Sequence, residues 1–410
     1  MTEFAFPREA DLMVPTPYKR LLAIRVARMP LLGALIGRLP IAALSLSTIL
    51  LVRQETGSFA VAGAVEACVA TAVAVSLPVQ GRLVDRLGQT AVLVPTALAN
   101  PLALAALVAA AKGGADPVVL GAIGACCGAT IPALSSCMRT LWSELVPDPV
   151  LRQSAFALDA VLLEVCFIVG PLVTATLVAI GSPAAAVLVN AACSTAGTLV
   201  FAASRASRSW RGAPGGGDWA GPLRSPGVVV LLFVELGFGA AIGAMEISTT
   251  AFATQEGSPS AVGALIAVQA AASMAGGLWY GSRQHGGSVA DRYPRLCLLI
   301  AVGFAPLLLM SSIANAVPLM ALSGFGFAPA GAVVYMLIDE LAPPGTATET
   351  STLMITAVVV GVAVGNAVGG ALVSGDHAAR GFAAAVVAAL LSWFIAYRGR
   401  PALRTAPEPA

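Results

Sequence analysis

Six ionisable residues stand inside long apolar runs of this chain: Arg38, Glu66, Asp159, Glu164, Glu235 and Glu246. A charge at such a position costs about 2.5–3.5 kcal/mol even on lenient membrane-insertion scales, so it is kept for pairing, proton carriage or ligand binding. Apolar surroundings favour the neutral form of a carboxylate, and an adjacent arginine favours the charged one. An acid and an arginine whose separation changes can therefore take up and release a proton. Arg38 lies a few turns into its run and Glu235 at comparable depth, so the reading sets the arginine against Glu164 or Glu235. A ligand displacing Arg38 would then change that acid's proton affinity. Asp159 and Glu66 lie nearer the ends of their runs, where simple pairing also accounts for them. His285 and His377 fall in loops, and no Ser-His-Asp set or phosphate-binding glycine loop appears. The seven cysteines, without C-x-x-C spacing, read as packing thiols. No catalytic residue, metal or cofactor is expected.

The runs that must position these groups read as membrane spans. The chain has 410 residues, 58% hydrophobic and 11% charged, with mean hydropathy +0.86. A soluble domain carries about 25% charged residues. Runs long enough to cross a bilayer as helices lie at 29–52, 59–80, 90–111, 117–141, 153–180 and 183–203. Six more lie at 226–253, 260–282, 293–314, 317–339, 347–373 and 379–397. The predicted fold class is an all-α integral membrane protein of twelve helices in two six-helix halves. The halves are 29–203 and 226–397, with tails at 1–28 and 398–410. The linker at 204–225 holds Pro214-Gly215-Gly216-Gly217, which cannot sustain a helix. No charged-then-apolar start ending in a small-residue cleavage site is read, so no removable signal peptide is expected.

The halves repeat each other. Gly57-Ser58 and Gly63-Ala64 recur as Gly257-Ser258 and Gly263-Ala264, and Gly81 maps onto Gly281. Glu144-Leu145-Val146-Pro147 recurs as Glu340-Leu341-Ala342-Pro343. Gly361, Gly365, Gly369 and Gly370 give the eleventh span a smooth packing face. Trp142, Trp279, Trp393 and Tyr397, at span ends, read as interfacial belts. With the N-terminus inside, 19 of the 23 lysines and arginines face the cytoplasm, while Arg53, Lys112 and Arg380 face outward. That asymmetry predicts a multi-pass protein of the cell membrane with both termini and the linker cytoplasmic. A net charge of +2 gives no support for a nucleic-acid partner.

Between the second and third runs stands Gly81-Arg82-Leu83-Val84-Asp85-Arg86-Leu87-Gly88-Gln89-Thr90, read as a short charged turn. It resembles the loop between helices 2 and 3 of the major facilitator superfamily, G-x-L-a-D-r-x-G followed by two basic residues. Gly81, Leu83, Asp85, Arg86 and Gly88 match, while Gln89 and Thr90 replace the basic pair. Arg139, at the end of the fourth run, stands where the family often has a basic residue, in reach of Asp85 or Asp159. Gly170-Pro171 looks like part of the helix-5 antiporter motif of drug-efflux members, with its other glycines absent. The resemblance implies a monomeric transporter rather than an enzyme, with helices 1, 2, 5 and 7 bordering a central cavity and the halves rocking about it. Its partners would be the lipid bilayer, protons and a small-molecule substrate. Spans rich in Ala, Val, Leu and Gly favour a small, partly hydrophobic organic molecule; the Gly-Pro resemblance implies that it moves outward, and the buried carboxylates that it does so by proton coupling. Import of a polar metabolite, and a non-transporting membrane sensor or scaffold, stay open as alternatives.

The charge asymmetry makes a labelling prediction. In a cysteine-free background, Gly216→Cys and Ser288→Cys should resist impermeant thiol reagents in intact cells, and Ala115→Cys should react. Labelling of Gly216→Cys from outside would overturn the topology.

Overall fold

Twelve apolar helices follow from these runs. The computed structural model describes residues 17–212, 221–258, 261–373 and 378–404. The stretch Pro214-Gly215-Gly216-Gly217, His377 and the outer parts of both tails lie outside them. Spans 1 to 6 are Arg25–Thr56, Ala60–Leu87, Gln89–Lys112, Pro117–Leu145, Pro149–Ile180 and Pro183–Ala203. Spans 7 to 12 are Pro226–Gln255, Ala261–Gly281, Val289–Leu309, Ile313–Leu341, Ala347–Val373 and Ala378–Arg398. Local chemistry marks many of their ends. Asp116, Asp148, Ser182, Ser225, Ser288 and Ser312 each accept a first-turn amide from their own helix. Gly57 and Gly257 both close their helices at φ 68°, the left-handed cap that glycine takes without strain, so the repeat in sequence is a repeat in backbone.

The stretch read as a charged turn is mostly helix. Span 2 continues through Leu87, and the next helix begins at Gln89. Gly88, at φ 92°, is the whole connection. Nothing between Gly81 and Leu87 breaks a helix, and charge alone does not end one. Trp142, read as an interfacial belt, is instead fully buried, because its face of span 4 packs inside the first half. Trp279 and Tyr397 are exposed.

Among the described residues, spans 1, 4 and 10 are broken inside the bundle. Span 1 bends where Pro40, which has no N–H to donate, starts a new helical segment after Arg38 and Leu39. Span 4 is interrupted between Ala129 and Leu134, and span 10 between Gly324 and Phe327. Backbone groups freed at such depth must find partners in the protein. At the span 4 break, Gln80 donates to the carbonyls of Ala129 and Ile131 (3.2 and 2.9 Å) and accepts the Ala133 amide (3.1 Å). At the span 10 break, the Ala328 amide donates to the Ser273 hydroxyl (3.1 Å).

Small residues let spans meet backbone to backbone. A Cβ on Gly361 or Gly365 would lie 2.1 Å from the carbonyls of Leu236 or Ala240, so spans 7 and 11 form a tight pair. In the first half, a Cβ on Gly197 of span 6 would lie 2.1 Å from the Gly37 amide of span 1. The Gly170-Pro171 site also has a packing role. A Cβ on Gly170 would lie 2.3 Å from the Leu39 carbonyl at the bend of span 1.

A contrast follows. Gly197→Ala should lower thermal stability by about 1–3 kcal/mol through overpacking. At Gly63 an added methyl group would meet nothing within 4 Å. Gly63→Ala should therefore be neutral or gain up to about 1 kcal/mol from helix propensity. Melting curves in detergent that fail to separate the two would refute the close crossing of spans 1 and 6.

Candidate functional site

Asp159 of span 5 has no exposed surface. Arg38 Nη1 donates to its Oδ1 at 2.7 Å, and Arg139 Nε lies 3.4 Å from Oδ2, an ion-pair distance without hydrogen-bond geometry. Arg38 also donates to the Ser135 carbonyl (3.2 Å) just past the span 4 break. Tyr335 of span 10 completes the cluster from the other half, its ring centroid 3.7 Å from the Arg139 guanidinium carbon. That is a cation–π contact in a buried setting. One carboxylate and two arginines thus fasten spans 1, 4 and 5, and the aromatic ring docks span 10 against them.

This corrects the expected pairing of Arg38 with Glu164 or Glu235. Asp159 and Glu164 are five residues apart, about 140° around a helix at 3.6 residues per turn, so they face different neighbours. Asp159 faces span 1, and Glu164 faces span 8 in the second half. There Glu164 Oε1 accepts from the Ser273 hydroxyl at 2.6 Å. Glu235 turns into the second half, where it accepts from Tyr293 (2.8 Å) beside a cavity of about 30 Å³. That volume has room for roughly one or two waters. Glu246 is half-buried on span 7, with no side-chain partner among the described residues.

Glu66 lines a cavity of about 310 Å³ together with Arg38. Its walls come from spans 1, 2, 3, 4, 6 and 11, so spans 5 and 7, expected to border it, do not. The pocket follows the span 4 break, where Ile131 to Ser136 line it, which moves it into the first half. Ile355 and Val359 of span 11 close its second-half side.

Towards the end that carries both described termini, the halves are bolted together. Asp85 accepts the backbone amides of Thr348 (3.1 Å) and Glu349 (2.8 Å), the first turn of span 11. Its charge therefore meets the positive end of a helix dipole across the interface. Arg82 stands 3.8 Å from Glu349. Gly81 makes this approach possible, since a Cβ there would lie 2.9 Å from the Thr348 carbonyl. Arg86 is exposed at the same end. Gln89, in place of the expected basic residue, is fully buried and donates to the Cys137 carbonyl (2.9 Å), tying span 3 to span 4. Arg139 meets Asp159, not Asp85.

The symmetry-related contact is made of different groups. Ser154 donates to the Gly281 carbonyl (2.6 Å), and Gln153 donates to the Arg283 carbonyl (3.1 Å) while accepting from Arg292 (2.7 Å). His285 stacks on Tyr280 at 4.0 Å, and burial followed by the Arg292 charge holds its imidazole below the ordinary value. Tyr18, from a short helix ahead of span 1, donates to the Leu278 carbonyl (2.9 Å), and Arg152 pairs with Asp339. Sequence reasoning missed Gln153, Ser154, Ser273, Arg292 and Tyr335. A serine or glutamine in an apolar run carries no sign of which backbone it will serve, although Tyr335, an aromatic well inside its span, could have been singled out.

Asp159→Asn leaves two buried arginines facing a neutral group, and should cost about 3–5 kcal/mol of stability. Adding Arg38→Gln should recover part of that loss. A single variant as stable as the wild type in detergent melts would rule out the cluster as a brace.

The fold has known counterparts. A family model described as Major Facilitator Superfamily matches residues 31–366. The human organic anion transporter MFSD10 (TETRAN) superposes with a TM-score of 0.71 at 17% identity, covering 91% of this chain and 99% of that one. A bacterial homologue of the iron transporter ferroportin, in an outward-facing state, gives 0.74 at 13% identity, covering 92% and 99%. The E. coli fucose:proton symporter FucP gives 0.71 at 13% identity, covering 95% and 100%. No curated protein matches by sequence.

Proposed function

Since this chain belongs to the major facilitator superfamily, a family of transporters, we propose that it exports a small, partly hydrophobic organic molecule in exchange for protons. It works by alternating access, with Glu164 as the proton carrier. The observation that carries this reading is the 2.6 Å bond from Ser273 to Glu164, which crosses between the halves well inside the bundle. A hydroxyl can donate to a carboxylate or accept from a carboxylic acid, so Glu164 keeps a partner in either protonation state. A hydrogen bond to a carboxylate is roughly twice as strong as one to the neutral acid, so parting of spans 5 and 8, which removes that partner, ties proton affinity to the position of the halves.

With both termini cytoplasmic, the bolted end is the inner gate and the arrangement is outward-facing. Asp85, held by two amides of span 11, is the latch that must release for the inner gate to open. The Arg38–Asp159–Arg139 cluster is a permanent brace in this account, since its charges already balance in part and lie out of water. The mostly apolar walls of the cavity suit a partly hydrophobic substrate, and Gly170-Pro171 supports the outward direction.

The test uses proteoliposomes with an internal pH dye and a panel of small organic substrates. Glu164→Gln should reduce proton-driven transport at least tenfold and leave substrate exchange down its own gradient intact, since exchange need not cycle the proton. Proton-coupled transport at the wild-type rate in Glu164→Gln would remove Glu164 as the carrier.

A further inference from the structure

The cavity carries one carboxyl group that no cation balances among the described residues. Among the described residues, Arg38 and Glu66 are its only Arg, Lys, Asp or Glu lining residues. The Arg38 charge is met by Asp159 at 2.7 Å. Glu66 has the Ser45 hydroxyl as its hydrogen-bonding side chain, and its Oε2 is shielded from water without a hydrogen-bond partner. No cation lies within ion-pair distance of it among the described residues. An unsatisfied carboxylate oxygen at this depth calls for a proton or a positively charged ligand.

The rest of the pocket limits what that ligand can be. Val69, Val73, Leu77, Leu104 and Ile355 make its walls largely apolar. At about 310 Å³ it stands at the lower end of the ~300–1,000 Å³ of small-molecule sites. Asn100 spends its amide N–H groups on the Cys127 carbonyl (3.0 Å) and Thr130 (3.2 Å), so it has no donor left for an anionic ligand. An anionic ligand would have to compete with Asp159 for Arg38 while facing Glu66.

The geometry points to a small lipophilic organic cation as the substrate, its ammonium group seated on Glu66 and its apolar body in the first-half pocket. The assignment rests on the transport reading above and narrows it. Glu66, not part of the Glu164 proton step, would be the residue that selects charge. Cation and proton would compete for the same carboxylate.

Binding to the purified protein in nanodiscs tests this separately from transport. The probes are a series of quaternary ammonium ions from tetramethylammonium to phenethyltrimethylammonium, with 3-phenylpropan-1-ol and 3-phenylpropanoate as neutral and anionic comparators. At least one cation should bind tenfold or more tightly than both comparators. Glu66→Gln should weaken it at least tenfold, and Glu66→Asp, which keeps the charge, should restore part of the affinity. Affinity for the permanent cation should fall on acidification in the wild type and stay flat in Glu66→Gln. The other titratable groups on spans 1, 2, 3, 4 and 11 around Glu66 are Arg38, Cys68, Cys126, Cys127, Cys137 and Arg139 within the bundle. Arg53, Glu55 and Lys112 lie at one end of it, and Arg25, Arg28, Arg82, Asp85, Arg86, Glu144 and Glu349 at the other. An Arg38→Gln control separates that neighbour's contribution. Failure of every cation to bind, equal binding of a comparator, or unchanged cation affinity in a folded Glu66→Gln protein overturns the assignment. Proton-coupled movement of a neutral or anionic compound would leave the transport reading standing without it.

Discussion

A polar group placed in hydrocarbon must be answered by the protein, and that constraint organises this molecule. At the three helix breaks the bundle has to satisfy its own backbone. Gln80 repairs span 4 and Ser273 repairs span 10. Each repair has a further effect. The first helps to set the cavity beside Ile131 to Ser136, and the second positions the hydroxyl that reaches Glu164. The unusual backbone thus comes first in the physical order, and the candidate site is built from what mends it.

The buried charges divide by the kind of partner they have. Asp159 is held by guanidinium groups, which give it a structural character. Glu66, Glu164 and Glu235 have hydroxyl partners in Ser45, Ser273 and Tyr293. A hydroxyl constrains position without fixing charge. That distinction separates a brace from groups able to change state, and depth within a span alone would not reveal it.

Much of the architecture was legible from composition and periodicity. Twelve apolar runs became twelve helices, and the glycine anchors at Gly57 and Gly257 adopt the same backbone. The ionisable residues of the site were also visible, because a charge in an apolar run stands out. Their pairing was not. Asp159 and Glu164 look equivalent along the chain, and only the rotation of span 5 assigns one to Arg38 and the other to Ser273. Charge likewise suggested a turn from Gly81 onward, whereas helix continuation depended on the absence of any breaker before Gly88. Long-range contacts of uncharged side chains, such as Gln153 accepting from Arg292, left no trace in local pattern.

The contact at Asp85 has an evolutionary consequence. Its two partners are main-chain amides, which every amino acid except proline supplies. The side chains at positions 348 and 349 are therefore free to drift as far as this contact is concerned. Asp85 has no such latitude, because it must supply two acceptor oxygens at a fixed reach. Opposite Gly81, even a methyl group would push the helices apart. The demand made by this contact is one-sided: on the end of span 2 it falls on side chains, and on the start of span 11 it falls on the backbone, although Glu349 also faces Arg82. A short acidic and glycine signature can in this way persist while the surface it docks against changes beyond recognition.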